Sequence, residues 1–194
     1  MDSNSIDIIL ASASPRRNEL LRSIFKSFRL MPQNVDENIC ESNPKEHVKL
    51  LAEKKLNNLD KIYPNSLIIS ADTIVYFNNK IYGKPKDKVE AEKFLKELSN
   101  NSHDVFTGIC VCFKGERYLD VEQSKVVFKN LTQQQIEDYI RNKNPLDKAG
   151  AYGIQDDDVV DYYVGSYTNI VGLPMEKLKD ILYKLEVIQW EAFN

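Results

Sequence analysis

The chain has 194 residues, 42% of them hydrophobic and 28% charged, a composition that buries a substantial core and excludes a disordered tail or a short peptide. A net charge of -3 and a pI near 5.5 exclude a broad electrostatic footprint for duplex nucleic acid, while leaving room for a local basic pocket. The polar start MDSNSID precedes only a short apolar run, which predicts neither a signal peptide nor a membrane span and a cytoplasmic location.

In chain order, "IDIIL" predicts a short buried strand. Ser14 as N-cap and Pro15 at the first helical position then open a helix with Leu20, Leu21, Ile24 and Phe25 on one face. Arg16 and Arg17 sit at a helix end that is already electropositive, which is locally unfavourable. An anion there resolves the conflict, held by free N–H groups, the hydroxyls of Ser12 and Ser14, and the guanidinium forks. After the polar stretch "VDENICESNPKE", "HVKLLAEKKLNNLDKIY" predicts one helix closed off near Pro64.

"SLIISADTIVYF" predicts a strand, and Asn78-Asn79 followed by "KIYGKP" predicts a hairpin return. Asp87 caps the helical "KVEAEKFLKEL". "DVFTGICVCF", the turn "KGER" and "YLDVEQSKVVF" form a further hairpin, and Thr132 with Gln135 makes a capping box for "QQQIEDYIRNK". "MEKLKDILYKLEVIQW" predicts a final amphipathic helix. Hairpins mixed with crossovers indicate an α/β fold on a mixed sheet. Cys40, Cys110 and Cys112 are odd in number; Cys110 and Cys112 share one strand face and read as small core residues in a reducing compartment.

Asp72 interrupts a strand of apolar and β-branched residues, and a desolvated carboxylate needs a partner. It is either a strand-end residue satisfied by backbone or a metal ligand or base for water. The hairpin brings Lys84 back beside it, as counter-charge or phosphate ligand. "NPLDKAGAYGIQ" fits neither a helical nor a strand period, and is either a loop that closes on a ligand or an ordinary surface turn. "NIVGLPM" reads as a helix-entry turn. Glu37 and Lys55, taken as isolated charges, are expected to face water. No Walker A sequence, G-x-G-x-x-G or G-x-S-x-G occurs, and His47 and His103 fall in no metal-binding pattern. Several basic groups, a carboxylate in a strand and a Gly-containing loop together point to a metal-assisted site for a small phosphorylated ligand.

"LASASPRRNELL", "SADTIVYFNNKIYGKP", "PLDKAGAYGIQ" and "GSYTNIVGLPM" resemble the successive signature segments of the Maf family of nucleoside triphosphate pyrophosphatases, in the family's order and over essentially the whole chain. The resemblance implies a single domain over residues 1–194, with an elongated mixed sheet flanked by helices and a cleft between two closely joined lobes. It implies hydrolysis of a nucleotide to its monophosphate and pyrophosphate, Mg²⁺ or Mn²⁺ as cofactor, and a homodimer. By motif, Asp72 matches the catalytic acidic residue and Glu37 a second acidic, metal-linked position. Ser12, Arg16, Arg17, Lys55 and Lys84 match phosphate-side positions, with Lys84 expected to stabilise the transition state. Arg16, Thr73 and Gln155 occupy the positions that separate the family's branches and resemble the branch acting on dTTP and UTP. A Gln amide offers one donor and one acceptor, matching N3–H and O4 of uracil or thymine. Two departures stand out: Leu50 replaces an arginine usual in similar sequences, and Asp156 follows Gln155 where glycine is usual. The competing readings are a nucleotide-binding regulator of cell division and septum formation, and an inosine-type nucleotide pyrophosphatase.

Overall fold

The computed structural model describes residues 6–156 and 158–189. Most elements begin where local chemistry starts them. Strand β1 (Ile8–Leu10) leads to helix α1 (Pro15–Arg22), whose N-cap Ser14 accepts from the Arg17 N–H. Strand β2 (Arg29–Leu30) and helix α2 (Pro44–Leu56) follow. The second helix starts earlier than expected, because the Asn43 side chain accepts from the Lys45 and Glu46 N–H groups and Pro44 fixes the first turn. It also stops earlier: Asn57 adopts a φ of 49° and breaks the expected single helix, leaving a short α3 (Leu59–Ile62).

Strand β3 (Leu67–Phe77) turns through Asn78 and Asn79, at φ of 48° and 58°, into β4 (Lys80–Tyr82), as the Asn-Asn pair predicts. Helix α4 (Lys88–Leu98) stands on its Asp87 cap, the hairpin β5 (Ser102–Phe113) and β6 (Glu116–Phe128) follows, and α5 (Gln133–Asn142) carries the Thr132–Gln135 capping box. The segment that fitted no period forms three single 3₁₀ turns, Pro145–Asp147, Ala149–Ala151 and Ile154–Asp156. Strand β7 (Val160–Val164), helix α6 (Tyr167–Val171) and helix α7 (Met175–Lys184) complete the chain. Helix α7 is shorter than the amphipathic pattern predicts, with Glu186 at a φ of 54° just beyond it. Trp190, Asp157 and the first five residues lie outside the described residues.

The seven-stranded open sheet runs β2-β1-β3-β5-β6-β7, with β4 paired to β3. Strands β2, β1 and β3 are parallel and the pairings beyond β3 are antiparallel, so the sheet is mixed as expected. Alternation along the strands divides the core. Leu10, Leu67, Ile69, Ile109 and Val111 pack with Leu21 of α1 and Leu178 and Leu182 of α7. Their neighbours Ile9, Ile68, Cys110 and Cys112 pack with Ala52 and Leu56 of α2. Burial pushes the Cys110 thiol up to about 12, as suits a core residue. A third cluster, at the far end of the long strands, joins Val75, Val105 and Val126 to Phe94 and Leu95 of α4 and Ile136 and Tyr139 of α5. Between these clusters the middle of β3 is left for polar residues.

Candidate active site

Asp72 pairs in register with Gly108 of β5, and Thr73 with Thr107. Gly108 decides what lies above Asp72: a Cβ there would stand 2.4 Å from the Val48 carbonyl oxygen, so only its missing side chain lets the α2 backbone rest on the sheet. Seven residues on, two helical turns along the same face, α2 presents Lys55. Its Nζ donates to Asp72 Oδ1 at 2.6 Å and pairs with Glu37 Oε1 at 2.7 Å, bridging the two carboxylates. The Lys55 and Asp72 side chains are 14% and 8% exposed, where an unpaired charge would be costly. Burial opposes ionisation of Glu37, but the hydrogen bond and charge of Lys55, with Lys84 and Arg17 nearby, hold its carboxyl below the usual range. Lys55 therefore does not face water, as an isolated helix charge would, and it, rather than Lys84, is the counter-charge of Asp72.

The two arginines at the start of α1 find acceptors within the protein. Arg17 donates through Nε to the Gly172 carbonyl at 2.7 Å, through Nη1 to the Ala71 carbonyl at 2.7 Å, and through Nη2 to Thr73 Oγ1 at 3.0 Å. Thr73 in turn meets Thr107, whose hydroxyl donates to the Asn169 carbonyl. Arg17 thus ties α1, β3 and the turn after α6 together across the cleft floor. Arg16 grips the loop opposite, donating from Nη1 to Asp147 Oδ2 at 2.8 Å and from Nη2 to the Asp147 carbonyl at 3.0 Å. Burial works against the charge of Asp147, but Lys148 and Arg16 together lower its pKa. Ser12 Oγ accepts from the Ser14 N–H and Ser14 Oγ from the Arg17 N–H, so both hydroxyl protons remain available to a ligand.

These groups line one cleft of about 470 Å³, walled by α1, α2, β3, β4 and the segment 147–155. The candidate site residues Ser12, Ser14, Arg16, Arg17, Glu37, Lys55, Asp72, Thr73, Lys84 and Gln155 all lie on its wall. Lys84 and Gln155 are exposed and make no hydrogen bond to a described residue. The cleft thus combines a buried Asp72–Lys55 pair, bridged by the same lysine to the exposed Glu37, with uncommitted polar groups at its rim. Gly108, Thr107 and Tyr139 are the supporting residues that sequence reading passes over. Only the glycine and threonine breaking the apolar run "VFTGICVCF" gave any sign of them.

Against known proteins, the Maf family, described as Maf-like protein, matches residues 7–185. The chain is 46% identical over 180 residues to the dTTP/UTP pyrophosphatase of Thermosipho africanus, covering 91% of this chain and 92% of that protein. It is 43% identical over 185 residues to the dTTP/UTP pyrophosphatase of Thermosipho melanesiensis, covering 94% and 100%. Among solved structures, the Staphylococcus aureus Ham1 protein shares the fold, with a TM-score of 0.52 and 14% identity over 92% of this chain and 99% of that one. On these matches, and on signature segments that converge in one cleft, the chain belongs to the Maf family.

Proposed function

We propose that the protein hydrolyses dTTP and UTP to the nucleoside monophosphate and pyrophosphate. The observation that carries this reading is the Asp72–Lys55–Glu37 bridge on the floor of a cleft whose rim holds Lys84 and Gln155. Water attacks the α-phosphorus, the bond to the bridging oxygen of the β-phosphate breaks, and that oxygen leaves with pyrophosphate. Asp72 is the group that takes the proton from the water: Lys55 occupies its Oδ1, and Oδ2 makes no hydrogen bond to a described residue. Lys84, Lys55, the Ser12 and Ser14 hydroxyls and the start of α1 bind the triphosphate and stabilise the charge that moves onto the leaving group. Arg16 and Arg17 add positive charge at the same end, already oriented by their protein acceptors. The Gln155 amide meets O4 and N3–H of the pyrimidine.

Glu37 and Asp72 fit a divalent cation such as Mg²⁺ or Mn²⁺. Both carboxylates lie on the cleft wall, bridged by Lys55, and hard cations of this kind take one or two carboxylates together with substrate phosphates. Among the described residues no cluster of three or more metal-ligating side chains exists, so a bound nucleotide would complete the shell. When bound, such an ion supplies charge neutralisation to the phosphates. A homodimer in the cytoplasm completes the proposal on family resemblance; no described helix is long and apolar enough to cross a membrane.

The test is pyrophosphate release from dTTP, UTP, CTP, ITP and 7-methyl-GTP, with and without Mg²⁺ or Mn²⁺. dTTP and UTP are expected to turn over fastest, and only with metal. Release from none of the five with either metal would overturn the activity; release from ITP alone would move the substrate to the inosine class.

A further inference from the structure

Asp156, the residue after Gln155, has a buried partner in Tyr139. Tyr139 is 3% exposed on the core face of α5. Its hydroxyl donates to Asp156 Oδ2 at 2.5 Å and accepts from the Gly153 N–H at 3.0 Å. The Asp156 N–H donates back to the Gly153 carbonyl at 3.1 Å. One buried phenol therefore closes both ends of the turn that carries Gln155. The side chains on that turn crowd one point: a Cβ at Gly153 would lie 2.9 Å from Asp156 Oδ2 and 3.3 Å from Gln155 Oε1. Burial and the carboxylate of Asp156 both push the Tyr139 phenol well above its ordinary range, which keeps it a donor. A phenol has a single proton, and without Asp156 that proton has no described acceptor.

We infer that Asp156 and Tyr139 form a latch that positions Gln155 toward the base, making both of them positioning residues for base selection. The inference rests on the reading that Gln155 meets the pyrimidine, and goes beyond it by naming what holds Gln155 in place. The opposite end of the same segment is held separately, by Arg16 on Asp147. Loss of the latch should therefore loosen the base side and spare the phosphate side.

The experiment compares Asp156→Ala and Asp156→Asn with the parent protein in three measurements. These are hydrogen–deuterium exchange of peptides covering 149–156 without nucleotide, KM and kcat for UTP, and the inhibition constant of inorganic tripolyphosphate, which has no base. In Asp156→Ala, exchange should quicken and the UTP KM rise about tenfold, the weight of one hydrogen bond, with kcat and the tripolyphosphate constant within about twofold. Asp156→Asn keeps an oxygen for the Tyr139 proton and should restore the parent values. Unchanged exchange in Asp156→Ala would overturn the latch. Equal weakening of UTP and tripolyphosphate would also overturn it, making Asp156 a support of the whole cleft. Absence of UTP turnover in the parent would instead remove the substrate reading, and the exchange measurement would then decide the latch alone.

Discussion

On the α1 side of the cleft, the guanidinium of Arg17 spends its donors on the carbonyls of Ala71 and Gly172 and the hydroxyl of Thr73. On the hairpin side, Lys84 lies exposed and without a hydrogen bond to a described residue. The two cations share one cavity, but their surroundings differ in kind. A half-buried guanidinium with several fixed acceptors helps hold the scaffold, and removing it strands those acceptors. An exposed ammonium beside a carboxylate pair has no structural task, so its charge is available to a ligand. The contrast is between one cation held in place by the protein and one left free for a ligand.

The largest effect is expected on the floor between them. Asp72→Asn keeps an oxygen for Lys55 while removing the base, so kcat should fall about 10²- to 10⁴-fold with little change in melting temperature. Near-normal kcat would break the assignment. Next, Lys84→Ala should lower kcat/KM by about 10²- to 10³-fold, as for other groups that stabilise developing charge. Its unfolding free energy should stay within about 0.5 kcal/mol of the parent's, as for other surface substitutions. Arg17→Ala should cost stability as well as activity, losing about 2–4 kcal/mol in urea unfolding because two backbone carbonyls and a hydroxyl lose their donor. If Arg17→Ala instead costs activity with stability intact, Arg17 is a phosphate ligand and the two sides are alike.

A smaller and more selective loss should follow Gln155→Glu. It sets two acceptors against each other at O4, costing about 1–3 kcal/mol in kcat/KM for dTTP and UTP while CTP and 7-methyl-GTP lose less. Equal losses on all four would show that Gln155 does not read the base.

The smallest expected effect, per pH unit, concerns stability behind the loop. Burial lowers His103 to about 3, where its ring packs against Phe128 and Tyr152 and its Nε2 meets the Tyr152 hydroxyl at 2.8 Å. The unfolded chain takes up a proton near the ordinary value of 6.5 and the folded one does not, so this contribution is complete above pH 6.5 and lost as pH falls toward 3. Between pH 6 and 4 the parent should lose up to about 1.4 kcal/mol per pH unit more than His103→Gln does. Coincident slopes in urea unfolding would show that His103 does not titrate with folding.

Local chemistry was enough for the elements whose start signals are self-contained. Ser14-Pro15, Asp87 and Thr132 with Gln135 cap their own helices, and Asn78-Asn79 turns its own hairpin. Apolar periodicity alone predicts one helix over His47–Tyr63 because it continues through Asn57, where the backbone turns to positive φ and divides α2 from α3. Strands β2 and β7 leave no comparable mark in the sequence. The first has only two residues, and the second, VDYYV, is largely exposed and owes its form to pairing with β6.

For the site, the residue types and their order along the chain were determined by the sequence alone: a carboxylate in an apolar strand, adjacent arginines after a serine cap, a lysine after a tight hairpin and a glutamine in an irregular loop. Their partners were decided only by tertiary structure. Lys55 reads as a solvated helix charge until α2 settles onto Gly108 and carries it to Asp72 and Glu37. Arg16 and Arg17 read as free anion ligands until Asp147, 131 residues away from Arg16, and Gly172, 155 away from Arg17, arrive beside them. Capping and turn formation are satisfied within a few neighbouring residues, and so leave their mark in a short stretch of sequence. The pairing of a buried charge depends on which backbones the fold brings within about 3 Å, and no local stretch contains that information.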